Sequence, residues 1–172
     1  QGNTTGANNA GFGDTALYTN STGGNNSAFG YGALYSNTTA SYNTAVGYQA
    51  GYNNTGEQQV FVGYKSGYSN TTGTVNTASG MYSLYSNTTG GNNTSFGGYS
   101  LFSNTTASNN TAVGYQAGYN NVAAGADLTL IGYQAGYYQN NGANTAIGSQ
   151  AMYGANTGGF LGAYNVAVGG QS

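Results

Sequence analysis

Asn43-Thr44-Ala45-Val46-Gly47-Tyr48-Gln49-Ala50-Gly51-Tyr52 recurs, with variations, along the whole of a 172-residue chain. Counterparts of its central Gly47 stand at Gly13, Gly30, Gly63, Gly80, Gly97, Gly114, Gly132, Gly148 and Gly169. The successive intervals are 17, 17, 16, 17, 17, 17, 18, 16 and 21 residues. Near-constant spacing of this kind marks stacked units, each too small to bury a core alone. About ten coils of 16–18 residues follow, with one insertion near Gly158-Gly159-Phe160. The period is too short for helical-hairpin repeats, and the Gly, Asn, Thr and Tyr content disfavours helix. The expected fold is therefore all-β: a parallel β-solenoid, in one tandem-repeat unit over residues 1–172. The chain opens at Gln1 in mid-repeat and is read as an excerpt of a longer repeat protein.

A large apolar residue precedes nearly every glycine: Phe12, Phe29, Val46, Val62, Phe96, Val113, Ile131, Ile147 and Val168, with Ser79 as the exception. Four residues after each glycine comes Leu17, Leu34, Gly51, Gly67, Leu84, Leu101, Gly118, Gly136 or Met152, and an aromatic residue follows each of these. This pattern predicts two short strands per coil, one on either side of the glycine. Stacking at ~4.8 Å per coil gives a rod of roughly 45–50 Å.

The residues before the glycines are expected to form the interior column, from Phe29 to Ile147. Neighbours in a strand point to opposite faces, so Ala45, Phe61, Ala112, Leu130 and Ala146 are then expected on the outside. Strands apolar on both faces are normally buried on both. This predicts self-association through those outward residues, or through the neighbouring column of Tyr52 and Tyr119, as a homotrimer or a filament.

A longer period is superimposed on the coil. Residues 25–54 match residues 92–121 almost one for one, an offset of 67 residues, or four coils. Coils pairing Phe with Leu (Phe29 and Leu34) alternate with coils pairing Val with Gly and adding a tyrosine (Val46, Gly51 and Tyr48). The added tyrosine is expected to cover the space left by the missing leucine.

Composition removes whole classes of function. The chain has no His and no Cys, and only Asp14, Glu57, Lys65 and Asp127 carry charge. That leaves no imidazole or thiol chemistry and no zinc site, so no enzyme, cofactor or metal site is expected. A single Lys without Arg provides no electrostatic grip on nucleic acid. No apolar run approaches the length of a membrane helix.

The remaining candidates are weighed against simpler readings. Asn3, Asn20, Asn37, Asn70, Asn87 and Asn104 each begin Asn-Ser-Thr or Asn-Thr-Thr and fit the N-glycosylation pattern. The simpler and favoured reading is a turn asparagine that caps the backbone or forms a ladder along the rod. The aromatic column from Tyr18 to Tyr153 offers a strip for sugars, but a stacked ladder suits a residue repeated in every complete coil better. The paired threonines of the same corners suggest ice binding, against which stands their position side by side in a turn. Lys65 beside Ser66 is read as a solvated variant of the glutamine at Gln49, Gln116 and Gln134, near Glu57 one coil earlier.

The unit Asn43-x-Ala45-Val46-Gly47, repeated at 110–114 and, with Ile147, at 144–148, resembles the head repeats of trimeric autotransporter adhesins. The phrase Asn-Thr-Ala-Val-Gly-Tyr-Gln-Ala at 43–50 and 110–117, with Leu-Tyr-Ser-Asn-Thr-Thr-Gly at 84–90, is similar to low-complexity repeats of phage and bacterial tail-fibre-like proteins. The resemblance covers nearly the whole chain through short motifs, and the coil here is longer than the adhesin head's. It implies a left-handed roll, three copies and an extracellular place on a cell surface or virion. The expected function is a structural or adhesive subunit of an extracellular fibre. The alternative is a receptor-binding head contacting a host-surface glycan or protein, with the corners at 122–126 and 154–163 as its best contact points.

Overall fold

The computed structural model describes residues 3–121, 127–139, 143–154 and 163–171. Each coil contributes one three-residue strand: β1 (Ala10–Phe12), β2 (Ser27–Phe29), β3 (Thr44–Val46), β4 (Val60–Val62), β5 (Thr77–Ser79), β6 (Thr94–Phe96), β7 (Thr111–Val113), β8 (Thr129–Ile131), β9 (Thr145–Ile147) and β10 (Val166–Val168). The strands stack in chain order as one parallel sheet. Register is strict: Ala45 lies between Ala28 and Phe61, and Val46 between Phe29 and Val62. The described residues contain no helix. This is the expected all-β parallel solenoid.

Gly47 ends its strand at φ +136, a region closed to residues with a Cβ. A Cβ there would also lie 2.4 Å from the carbonyl oxygen of Gly63 in the next coil. The glycine column from Gly13 to Gly148 is held by these two constraints together, and Gly169 by its φ of +130.

The expected second strand after the glycine is not a strand. Residues such as 48–53 form a turn instead. Its backbone visits left-handed φ twice, at Gln49 (φ 52) and Gly51 (φ 58), and again at Leu34 (φ 51) and Leu101 (φ 48) in other coils. The left-handed conformation costs a non-glycine residue roughly 1–2 kcal/mol. Complete burial of a leucine is worth about 1.5–3 kcal/mol, so burial offsets the cost at Leu34 and Leu101. Despite its shape, the turn still bonds from coil to coil. Gln49 N–H donates to Tyr31 O (2.8 Å), and Gly51 N–H donates to Ser66 O (2.9 Å).

The core has the opposite phase to that expected. Val46 and Val113 are each 39% exposed and point outward with Phe29, Val62, Phe96, Ile131 and Ile147. Ala45, Phe61, Ala112, Leu130 and Ala146 point inward and are completely buried. The physical reason is width: a coil of about 17 residues leaves room for alanine at most inward strand positions, but not for a column of valine and phenylalanine. Large inward residues occur where the facing turn has given up a side chain. A Cβ on Gly67 would lie 2.4 Å from the ring of Phe61, and one on Gly51 2.8 Å from it. Gly118 and Gly136 stand in the same relation to Leu130, at 2.8 and 2.5 Å. Thus Phe61 and Leu130 fill the space left by the missing leucines. The tyrosines expected to do so, Tyr48 and Tyr115, are exposed.

Candidate interaction surfaces

Two inner columns of amides run along the rod. In the first, Asn37 donates through Nδ2 to Asn20 Oδ1 (2.8 Å), Asn87 to Asn70 Oδ1 (2.6 Å) and Asn104 to Asn87 Oδ1 (2.8 Å). Each Nδ2 also caps a carbonyl three residues on, as Asn87 does at Gly90 O (2.9 Å). In the second column the side chain replaces a strand partner. Asn43 N–H donates to Asn26 Oδ1, Gln59 N–H to Asn43 Oδ1, and Asn93 N–H to Asn76 Oδ1, at 2.9–3.0 Å. The corner backbone, which has no sheet to join, is thereby satisfied inside the rod.

These bonds decide among the readings of the Asn-x-Thr corners. Asn20, Asn37, Asn70, Asn87 and Asn104 are buried, with Nδ2 occupied, so in the folded coil they are rungs and not sugar acceptors. Asn3 is exposed, and its Nδ2 caps Gly6 O (2.9 Å). The first hydroxyl of the threonine pairs points along the rod: Thr71 donates to Thr88 O and Thr88 to Thr105 O, each at 3.0 Å.

The aromatic column is a continuous stack from Tyr18 to Tyr137, with the ring of Tyr153 tilted by 36° at its end. Centroids of Tyr35 and Tyr52 are 4.8 Å apart and those of Tyr52 and Tyr68 5.4 Å, with interplanar angles of 6° and 14°. Phe102 takes the place of tyrosine between Tyr85 and Tyr119 without interrupting it. Interior rings therefore spend both flat faces on their neighbours, the faces a sugar ring would need. Burial, with the neighbouring Tyr35 and Tyr68 phenols, raises the ionisation of Tyr52 above its ordinary value of 10.0. Burial and the Tyr119 phenol do the same at Tyr137.

Lys65 reaches over the rings of Tyr64 and Tyr68, 5.6 and 5.2 Å from their centroids. It occupies the glutamine position as expected. Farther along, the same column forms a ladder in which Gln134 donates to Gln116 (2.7 Å) and Gln150 to Gln134 (3.0 Å). Ser66, next to Lys65 in the chain, is buried and donates to Ala78 O (2.9 Å).

The self-association residues expected from the sequence, Ala45, Phe61, Ala112, Leu130 and Ala146, are core residues and offer no surface. Their strand neighbours do. Phe12, Phe29, Val46, Val62, Phe96, Val113, Ile131, Ile147 and Val168 form an outward column with exposures from 37% to 69%. A second exposed column, Tyr31, Tyr48, Tyr64, Met81, Tyr115 and Tyr133, lies just across the glycines. Asp14, in the first coil, is the one charged residue at either set of positions. One signal pointed to the true phase: Phe61 and Leu130 break a column of small residues just where the turns carry glycine pairs. Coordinated volume changes of that kind belong to a shared interior.

Shallow hollows mark the two ends of the stack, one lined by Asn3, Asn9, Ala16, Leu17 and Asn20, the other by Gln150, Tyr153, Gly154 and Gln171. Among the described residues no cluster of metal-ligating side chains occurs, and no helix is long and apolar enough to cross a membrane. The expected contact corner at 122–126, and residues 155–162 of the corner at 154–163, lie outside the described residues. Comparison with protein-family models, curated proteins and solved structures finds no match.

Proposed function

We propose that the chain is a structural segment of an extracellular fibre, in which the number of coils sets the length of a stiff rod. The observation that carries this reading is the direction of its polar bonds. Strand carbonyls, turn amides, both asparagine columns and the glutamine ladder all bond from one coil to the next. Interior coils are thus interchangeable links, and strands β1 and β10 each present an edge ready to pair with a further coil. A receptor-binding head is less well supported, because the interior tyrosine rings face one another and residues 25–54 recur almost unchanged at 92–121. Binding sites tend to break such symmetry.

Imaging of the native particle with antibody raised against this chain tests the proposal. Label along a shaft is the expected result. Label confined to the tip would favour the receptor-binding head, and label inside the cell would overturn both.

A further inference from the structure

We infer that the outward apolar column and the tyrosine column beside it are a lateral docking surface for another copy of this chain. The argument begins with area. The fifteen side chains of the two columns are 37–69% exposed. At about 150–250 Å² for a large side chain, they present on the order of 1,000 Å². The largest apolar patch of an ordinary monomer is about 300–600 Å². A stable protein–protein interface takes about 800 Å² from each partner. The surface therefore exceeds what a solitary rod normally shows and suffices for a specific contact.

Its chemistry selects the occupant. Beyond Asp14 in the first coil, neither column contains a charged residue, and Lys65 over the Tyr64 ring is the one cation beside them, so a strongly charged partner finds little to pair with. Two copies, by contrast, meet without repulsion, each having a formal net charge of only −2. Pitch selects more narrowly. The side chains recur once per coil, with Phe12 and Phe29 stacked at 5.1 Å and Tyr31 and Tyr48 at 5.3 Å. A partner fills the gaps between rungs only if its own side chains recur at the same step. A second copy of the chain does so along the full column. The strict parallel register keeps that step constant from β1 to β10. Lateral pairing is separate from axial continuation, since it uses the side of the rod and not its ends.

The test uses the full chain and a double variant, Val46→Lys with Val113→Lys. Both positions are exposed, so each lysine reaches water and the coil remains folded. A control double variant, Thr38→Lys with Thr105→Lys, places the same charges on the corner. Light scattering gives mass, and small-angle X-ray scattering gives cross-section and length, with circular dichroism as the check on folding. The expected result is a wild-type particle of two or more 17.3 kDa chains with an enlarged cross-section. The stripe variant should fall to single-chain mass with unchanged circular dichroism, and the corner variant should stay associated. If the stripe variant fails to fold, Val113→Thr, which keeps the shape and removes apolar surface, should weaken association at least tenfold. A wild type that is monomeric, or that grows only in length at single-rod cross-section, overturns the inference. Growth in length alone leaves the fibre proposal standing. A monomer that adsorbs to neutral lipid vesicles assigns the surface to another occupant and equally overturns it.

Discussion

Ala112 and Val113 are adjacent in β7, and they separate the inside of the rod from the outside. Ala112 is completely buried between Ser95 and Leu130 of the adjoining strands, whereas Val113 is 39% exposed. An aspartate at 112 would have to bury an unpaired charge in a coil with no space to hydrate it, at a cost of several kcal/mol. At 113 the carboxylate reaches water, and the loss is confined to strand preference, about 1 kcal/mol or less. Ala112→Asp is therefore expected to abolish cooperative folding, and Val113→Asp to leave a native circular dichroism spectrum. The reverse outcome would restore the phase suggested by the residues alone. Gly67→Ala should also destabilise strongly, because its Cβ would meet the ring of Phe61 at 2.4 Å. Combining it with Phe61→Leu should recover part of the loss, as expected for neighbours that share one volume. Strictly additive thermal shifts would separate the two residues and contradict the packing.

The asparagine column and the tyrosine stack are the elements that tie coil to coil, and they fail in different ways. Asn87→Leu would leave Asn70 Oδ1 without its Asn87 donor and would cost Asn104 an acceptor. Unmet buried amide groups cost about 1–3 kcal/mol each, so a loss of about 2–4 kcal/mol is expected in chemical denaturation. Asn3→Leu, at an exposed end rung, should cost far less. The tyrosine stack responds to alkali. Tyr52 and Tyr137 ionise above their ordinary value in the folded rod, because burial and neighbouring phenols oppose the charged form. An unfolded tyrosine ionises near pH 10. The stabilisation is thus fully present below about pH 10 and is lost as pH rises through the folded values. Denaturation midpoints should be level from neutral pH to about 9 and then fall, with tyrosinate absorbance rising as circular dichroism is lost. A midpoint indifferent to pH above 10 would contradict the stacked arrangement.

The sequence made these elements unequally legible. The glycine spacing revealed strand number, strand position and parallel stacking, because only glycine satisfies both φ +136 and the 2.4 Å approach at Gly47. Alternation of small and large residues after the glycine looks like the pleat of a second strand. Here it follows alternating left- and right-handed backbone, seen in Gln49 and Gly51. Hydrophobicity alone points to the wrong phase, because in so narrow a coil side-chain volume decides which residue of a strand lies inside. The ladder reading of the Asn-x-Thr corners needed no correction. That each strand carries an outward apolar residue is legible in the sequence, but which of its residues that is follows only from the width of the coil.

At the scale of the whole molecule, the ten strands of the described residues stack into a rod whose interior bonds repeat along its axis and whose sides have almost no charge. If coils are interchangeable links, removing a whole four-coil block must shorten the rod and change nothing else. Deleting residues 25–91 joins Gly24 to Asn92, which reproduces the natural Gly91–Asn92 junction. The deletion removes 67 residues, or four steps of about 4.8 Å, so small-angle X-ray scattering should show a rod about 19 Å shorter with an unchanged cross-section. A shortened chain that unfolds, or one that folds into a particle of different cross-section, would contradict the account of the coils as length-setting units.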